Sequence, residues 1–283
     1  MRKLSSQGFS VIEALIIVIV IGALSVLVYR IVGSKKQTET TSKSATSVQD
    51  GENAQAAEAV DVTWQWNGQR WDPSSTPPAC PSPVKFTVAP SDLSLATSVL
   101  YPGQTRSNYK PHGGIGFSEA TNNIEVKAIM DGDVTSGSRY IEAGETQYLF
   151  WIENDCGIAY RFDHLLTLSP TMQAIADTMP AAKLDDSRTT NFDKPVRLKA
   201  GDTIATAVGF PKTKNVAYDL GVYDLRKPNA SATPAYIAAH QSEVSQAAYA
   251  LCWFDMFSDS DSARLLSLPS RDQKNGKTSD YCK

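Results

Sequence analysis

The sequence contains no Cys-x-x-Cys pair, and its four cysteines, Cys80, Cys156, Cys252 and Cys282, stand far apart. A zinc-ribbon arrangement therefore has little support. Histidine is scarce: His112, His164 and His240 are the only three in 283 residues. A Gly-x-Ser-x-Gly elbow, a phosphate-binding P-loop and a dinucleotide fingerprint are all absent, so no cofactor is implied. The 27 Lys and Arg residues are offset by 30 Asp and Glu residues, a net charge of −3. No Lys/Arg stripe is interleaved with aromatics, which removes nucleic acid from the expected partners. No internal repeat is evident. The even number of cysteines predicts disulfides in an oxidising compartment, and four cysteines allow three connectivities.

Apolar residues dominate one stretch. From Val11 to Val32 nearly every side chain is apolar, behind a short leader carrying Arg2 and Lys3, with Arg30 near the end of the run and Lys35 and Lys36 just beyond it. About twenty residues at about 1.5 Å each match a hydrocarbon core about 30 Å thick. In lipid a single segment must be helical, because its backbone groups have only each other to bond. No small-residue cleavage site of an ordinary secretory signal follows the run. Glu13 does not fit a plain anchor, since a carboxylate inside a membrane segment is costly without a partner.

Gly8-Phe9-Ser10, with Glu13 three residues later, follows a leader of under ten residues and opens an apolar helix. This start resembles a type IV prepilin. The resemblance implies cleavage by a prepilin peptidase after Gly8 and N-methylation of Phe9. It also implies that Glu13, the fifth residue after the cut, pairs with the N-terminal amine of a neighbouring pilin subunit. Assembly would supply the cation that makes the acid tolerable. The implied organisation is a leader over residues 1–8, a single membrane-spanning pilin helix over 9–33, and a C-terminal domain outside the cytoplasmic membrane, on a pilus or at the cell surface.

Residues 34–60 hold almost no large apolar side chain, so they read as a flexible linker. Pilins typically continue into an amphipathic half-helix. No 3.6-residue stripe is present here, which argues for a minor or tip subunit over a shaft-forming one.

The folded part is expected over residues 61–283. "VTWQWNGQRW" alternates and carries Asn67-Gly68, a signal for a two-residue type I′ hairpin. Trp64, Trp66 and Trp71 suit either an exposed sugar platform or, preferably, cross-strand packing. "DPSSTPPACPSPV" reads as a polyproline-rich connector. "IEVKAIMDGDVTS", "TQYLFWIEN", "GIAYRFDHLLTL", "PVRLKAGDTIATAVGF" and "VAYDLGVYDLR" read as strands. Only "TMQAIADTM" and "YIAAHQSEVSQAAYALCWF" read as helical. A mainly β domain is predicted.

Residues 109–227 carry a second resemblance. "PHGGIGF", "YRFDHLLTL", "VRLKAGDTIATAVGF" and "YDLGVYDLR" occur in the order of the core motifs of lysostaphin-type (M23) metallopeptidases. The resemblance implies an M23-like, duplicated-hybrid-like β sandwich; the region after it, 228–283, is expected to be closed by cysteines on the pilin resemblance. His112 matches the first zinc ligand and His164 the catalytic histidine. The aspartate ligand position is Gly116. The final His-x-His falls on Asp219-Leu220-Gly221, so the third ligand position is also a glycine. Zinc hydrolysis needs three protein ligands and an open position for water. One remaining ligand predicts no zinc, no catalytic residue and a non-enzymatic domain, with His112, His164 and Asp219 lining a vestigial cleft that binds cell-wall peptidoglycan or another surface ligand. The alternatives are a membrane-anchored peptidoglycan hydrolase with an atypical zinc site, and a pseudopilin of a secretion or DNA-uptake system.

Other signals are weaker. "FSDSDSAR" places Asp259 and Asp261 as calcium loops do, but lacks the glycine and the late glutamate. It reads as a solvated loop. "KLDDSRTTNF", with Asp185-Asp186, reads as a polar loop or lid. Cys252 and Cys282 flank about thirty residues, and pilins commonly close a C-terminal loop this way. The pilin resemblance thus favours Cys252–Cys282, leaving Cys80 with Cys156.

Overall fold

The computed structural model describes residues 61–283. The expected cleavage point Gly8-Phe9, Glu13, the apolar helix and the linker lie outside the described residues. Among the described residues, no helix is long and apolar enough to cross a membrane.

A short hairpin comes first, formed by β1 (Trp64–Trp66) and β2 (Trp71–Pro73). Its loop is wider than the two-residue turn expected from Asn67-Gly68. Trp66 pairs with Trp71, so Asn67 to Arg70 all lie in the loop. The reason is local: Asn67 Oδ1 accepts from the backbone N–H groups of Gln69 and Arg70, at 2.8 and 2.9 Å. A side chain thus replaces the tighter backbone turn. The three tryptophans pack and form no platform. Trp64 is buried, Trp71 stacks on Trp151 with ring centroids 6.0 Å apart, and Trp71 Nε1 donates to the carbonyl of Ser245 at 2.8 Å.

The domain is mainly β. Its strands continue as β3 (Ala96–Leu100), β4 (Gln104–Arg106), β5 (Asn108–Lys110), β6 (Gly113–Phe117), β7 (Val126–Lys127), β8 (Gly132–Glu142) and β9 (Glu145–Glu153). They end with β10 (Ile158–Leu168), β11 (Lys183–Leu184), β12 (Thr190–Leu198), β13 (Thr203–Val208) and β14 (Ala217–Asp224). Hydrogen bonds join ten of them into one sheet with the path β11-β8-β9-β10-β14-β6-β3; β12 adds to β8, β13 to β10 and β7 to β13. β4 and β5 form a separate hairpin.

Sequence chemistry accounts for these choices. β9 is buried along seven consecutive positions, as a strand covered on both faces must be, and "QYLFWI" is correspondingly apolar. The β8–β9 turn uses Ala143 and Gly144, both at positive φ (50° and 75°), with Glu142 opposite Glu145. That is the two-residue geometry matching strand twist. β12 is an exposed strand carrying Pro195, a residue confined to positions where a missing N–H costs no ladder bond. The expected lid "KLDDSRTTNF" is partly strand: β11 lies parallel on β8, and Asp186 pairs with Arg188 at 2.6 Å.

Helices are few and short. α1 (Pro170–Ala176) starts at the Ser169 cap with proline in its first turn. The second helical stretch is broken into α2 (Pro234–Ala239) and α3 (Val244–Ala247), separated at His240 by a non-helical φ/ψ of −120°, 36°. α4 (Asp259–Ser267) replaces the solvated loop expected at "FSDSDSAR". Ser258 caps it, and Asp259 and Asp261 sit in its first turn. Spacing that resembles a calcium loop serves here to offset the positive end of a helix.

The 228–283 region is not an appendage. Trp253, Phe254, Phe257 and Leu265 belong to the same buried cluster as Ile115, Phe162, Ile204 and Tyr218. Two disulfides are present, Cys80–Cys156 and Cys252–Cys282. The first pins the proline-rich connector to the β9–β10 turn, and the second ties the C-terminus to the start of a buried 3₁₀ turn over Trp253–Met256.

Candidate functional site

β14 lies between β6 and β10, and this places the site. Asp219 is opposite Gly114 on one side and Asp163 on the other. Gly221 is opposite Arg161. Residues two apart on a strand share a face, so Arg161, Asp163, Asp219 and Gly221 face the same way. His112 enters this face from the residue just before β6, and His164 from the one just after Asp163.

The three residues expected to line a cleft are brought together. His112 Nε2 is 3.0 Å from Asp219 Oδ2, and His164 Nε2 is 3.7 Å from the same oxygen. Gly114 makes this possible, because a Cβ there would come within 2.8 Å of Asp219 Oδ1. His164 has φ 61°, in the left-handed region. The pairing of β10 with β9 shifts register between Phe162 and Leu165. This bulge turns the imidazole toward Asp219, and a non-glycine residue at positive φ is a strained conformation of the kind that clusters at functional sites.

Four further residues, Arg161, Asp163, Tyr140 and Arg106, complete the site. Arg161 Nη2 donates to Asp163 Oδ2 at 2.5 Å. The Tyr140 hydroxyl donates to Asp163 Oδ1 at 2.6 Å and lies 3.2 Å from His164 Nδ1. The backbone carbonyl of His112 accepts from Arg106 at 3.1 Å. Arg161 sits two residues before Asp163 in "YRFDHLL", so strand alternation alone puts it on the site face. Tyr140 comes from β8 and has no local signal.

Burial governs the protonation states. It pushes the His112 imidazole down to about 4, assisted by the charges of Arg161 and Arg106 and opposed by Asp219. His112 is neutral at pH 7 and donates Nε2–H to Asp219. Burial works to raise the Asp219 carboxyl, but the His112 hydrogen bond, with His164 and Arg106 nearby, overcomes it and holds the group below the usual carboxylate range. Burial opposes the charge on Arg161, and the carboxylates of Asp163 and Asp219 outweigh that opposition. Burial and the Asp163 carboxylate both raise the Tyr140 phenol.

The two glycines that the sequence resemblance aligns with ligand positions, Gly116 and Gly221, are covered. A Cβ on Gly221 would collide with the Tyr223 hydroxyl and lie 3.0 Å from Arg161 Cγ. A Cβ on Gly116 would collide with Arg271 Nη1 and lie 2.5 Å from Ser98 Oγ. Among the described residues, the group of three carboxylate or imidazole ligands within 4.8 Å of one another is Asp61, Asp133 and Asp155, not the histidine site. Arg197 already bridges Asp133 and Asp155, at 2.9 and 2.7 Å.

The arrangement offers hydrogen bonds and a fixed carboxylate between two imidazoles. Among the described residues, no serine or cysteine is hydrogen-bonded to His112, His164 or Asp219. Compared with protein-family models, with curated proteins and with solved structures, the chain matches none of them.

Proposed function

We propose that this chain is a type IV pilin-like surface subunit, of the minor or tip kind, whose M23-like β domain binds cell-wall or other surface ligands without hydrolysing them. The observation that carries the non-catalytic half is Arg161. Its aliphatic stem passes Gly221 at Cγ, and its guanidinium is held by Asp163 on the face that carries His112 and Asp219. A permanent cation beside Asp163 and Asp219 would repel a metal ion brought to this face, which supports the non-catalytic reading. The M23-like reading of the fold is supported by the convergence of His112, His164 and Asp219 from three separate motifs occurring in the family's order.

The pilin half rests on Gly8, Phe9 and Glu13 in the sequence. In this reading a prepilin peptidase cuts after Gly8. The N-terminal helix then holds the chain in the cytoplasmic membrane or packs with other pilin subunits, and the β domain is displayed outside.

Two measurements test the halves separately. N-terminal sequencing of protein from its native host should begin at Phe9; an intact Met1, or a start after Gly33, would sink the pilin reading. Glu13→Val should still insert, being more apolar, yet be lost from sheared filaments. Elemental analysis of metal-equilibrated protein should find no stoichiometric zinc. One zinc per chain that disappears in His112→Ala, with muropeptide release from purified cell walls, would instead establish the hydrolase.

A further inference from the structure

Away from His112 and Asp219, the sheet keeps one open border. β11 and β12 both lie on the edge of β8 that β9 leaves free, and among the described strands β12 pairs with nothing beyond β8. An apolar groove of about 640 Å³ runs between α1 and β12, with Ala174, Ile175, Phe192 and Val196 in its lining. Phe192 and Val196 are only partly buried against the core. Leu184 of β11, on the same border, is the most exposed large apolar side chain among the described residues, at 70%.

We propose that this border is the contact surface for a second copy of the chain, packed about a two-fold axis that passes between Asp193 and Lys194.

Charge selects the partner. Asp193 and Lys194 are adjacent and exposed, and neither enters an ion pair or a side-chain hydrogen bond among the described residues. By contrast, Asp186 is taken by Arg188, and Arg197 by Asp133 and Asp155. When two identical strands cross antiparallel about an axis between residues 193 and 194, Asp193 of each copy faces Lys194 of the other. One dipeptide thus supplies two complementary pairs, as an isologous contact requires. The same arrangement sets Phe192 of each copy against Pro195 of the other, so an apolar contact flanks each ion pair.

Shape is the second argument. Between Asn191 and Val196 the pairing with β8 jumps from Ser136 to Val134, which leaves Phe192 to Pro195 opposite Thr135 alone. Four residues over one cannot stay in the ladder, and they bow out as a ridge beside the groove. A ridge next to a groove is self-complementary. The two-fold axis seats the ridge of each copy at the groove of the other.

The backbone limits how the copies join. Pro195 has no N–H, and bulges and prolines keep strand edges from pairing. The contact is therefore made by side chains, not by a ladder continued from one copy into the next. An isologous contact of this kind closes as a dimer and does not propagate into a fibre. The rival reading takes Asp193, Lys194 and Pro195 as edge protection alone. It predicts a monomer, whichever of positions 193 and 194 carries which charge. Both readings share every contact within one chain, so the decision falls to association.

The experiment uses the full chain in a non-ionic detergent. Mass is read by sedimentation over a concentration series at about 50 mM salt, where exposed charges are weakly screened. A reversible dimer is expected. Lys194→Asp brings two carboxylate pairs face to face in each dimer, and Asp193→Lys two ammonium pairs. Each should raise the dissociation constant at least about tenfold. Asp193→Lys/Lys194→Asp restores both attractions and should return the constant to within about threefold of the parent. Association unchanged in both single reversals would place the contact elsewhere in the chain and overturn the surface. A parent chain that stays monomeric, or a double reversal that associates no better than the single ones, would overturn it too. Both positions are exposed, so the variants are expected to fold, and an unchanged urea midpoint checks this. The surface does not depend on the pilin or M23 readings.

Discussion

Burial of His112 has a measurable consequence at the level of one residue. In the unfolded chain an imidazole titrates near about 6.5, and in the folded protein burial moves His112 to about 4. Between those values the unfolded state binds a proton that the folded state refuses. Stability therefore falls as pH drops through this window, by at most about 1.4 kcal/mol per pH unit. Above pH about 6.5 both states are neutral here and the dependence vanishes. His112→Gln should flatten the slope of urea-unfolding stability between pH 6.5 and 4 relative to the parent chain. Parallel curves for the two proteins would mean that His112 is not the group responsible. Asp219 acts in the same direction but at lower pH, because its depressed carboxyl loses its advantage only as it is protonated.

Three adjacent strands, β6, β14 and β10, decide whether the ligand set of the proposed M23-like reading can be built into this site. Restoring side chains at Gly116 and Gly221 is the obvious attempt, and the packing of neighbouring strands opposes it unequally. Arg271 over Gly116 is exposed and its guanidinium can swing aside. Tyr223 over Gly221 is fully buried, and Arg161 beside it is fixed by Asp163. Gly221→His should cost about 1–3 kcal/mol or more through overpacking, read from the urea midpoint, while Gly116→Asp costs less. The double variant should still retain no zinc after gel filtration, because Arg161 keeps a positive charge in the site. Stoichiometric zinc in the double variant would show that two missing ligands, and not Arg161, were the barrier.

Over the whole domain, two disulfides close loops of very different length. The sequence separations are 76 for Cys80–Cys156 and 30 for Cys252–Cys282. In the chain-entropy model these correspond to about 4.5 and about 3.5 kcal/mol. The longer loop encloses the β4–β5 hairpin and five of the ten strands of the sheet, β3 and β6 to β9, so its loss loosens the larger unit. Cys80→Ala/Cys156→Ala is expected to lower the urea midpoint more than Cys252→Ala/Cys282→Ala does, and reduction of the parent chain more than either. The reverse order for the two pairs would locate the stabilisation in native-state packing of the C-terminal segment, where Trp253, Phe254 and Phe257 are buried, and not in loop closure.

Strand positions were legible in the sequence because alternation and β-branched runs report the burial of each face directly. β9 was identified from "TQYLFWIEN" and β10 from "GIAYRFDHLLTL" for that reason. The even cysteine number in a chain with an expected external domain pointed to disulfides for an equally local reason. The helix at "FSDSDSAR" was missed because Ser, Asp and Arg carry no core-facing stripe, and only the Ser258 cap marks its start. His112, His164 and Asp219 were named through a family resemblance, and Arg161 was readable beside Asp163 by period-two spacing. Their chemistry was not. The register of β14 against β10 sets Arg161 opposite Gly221, and the bulge at His164 turns its ring toward Asp219. The path of the C-terminal segment past Gly103 brings Tyr281 to Tyr109, 172 residues away. Contacts of that kind depend on backbone register and long-range packing, which neighbouring residues in the sequence do not encode, so the tertiary structure alone decided them.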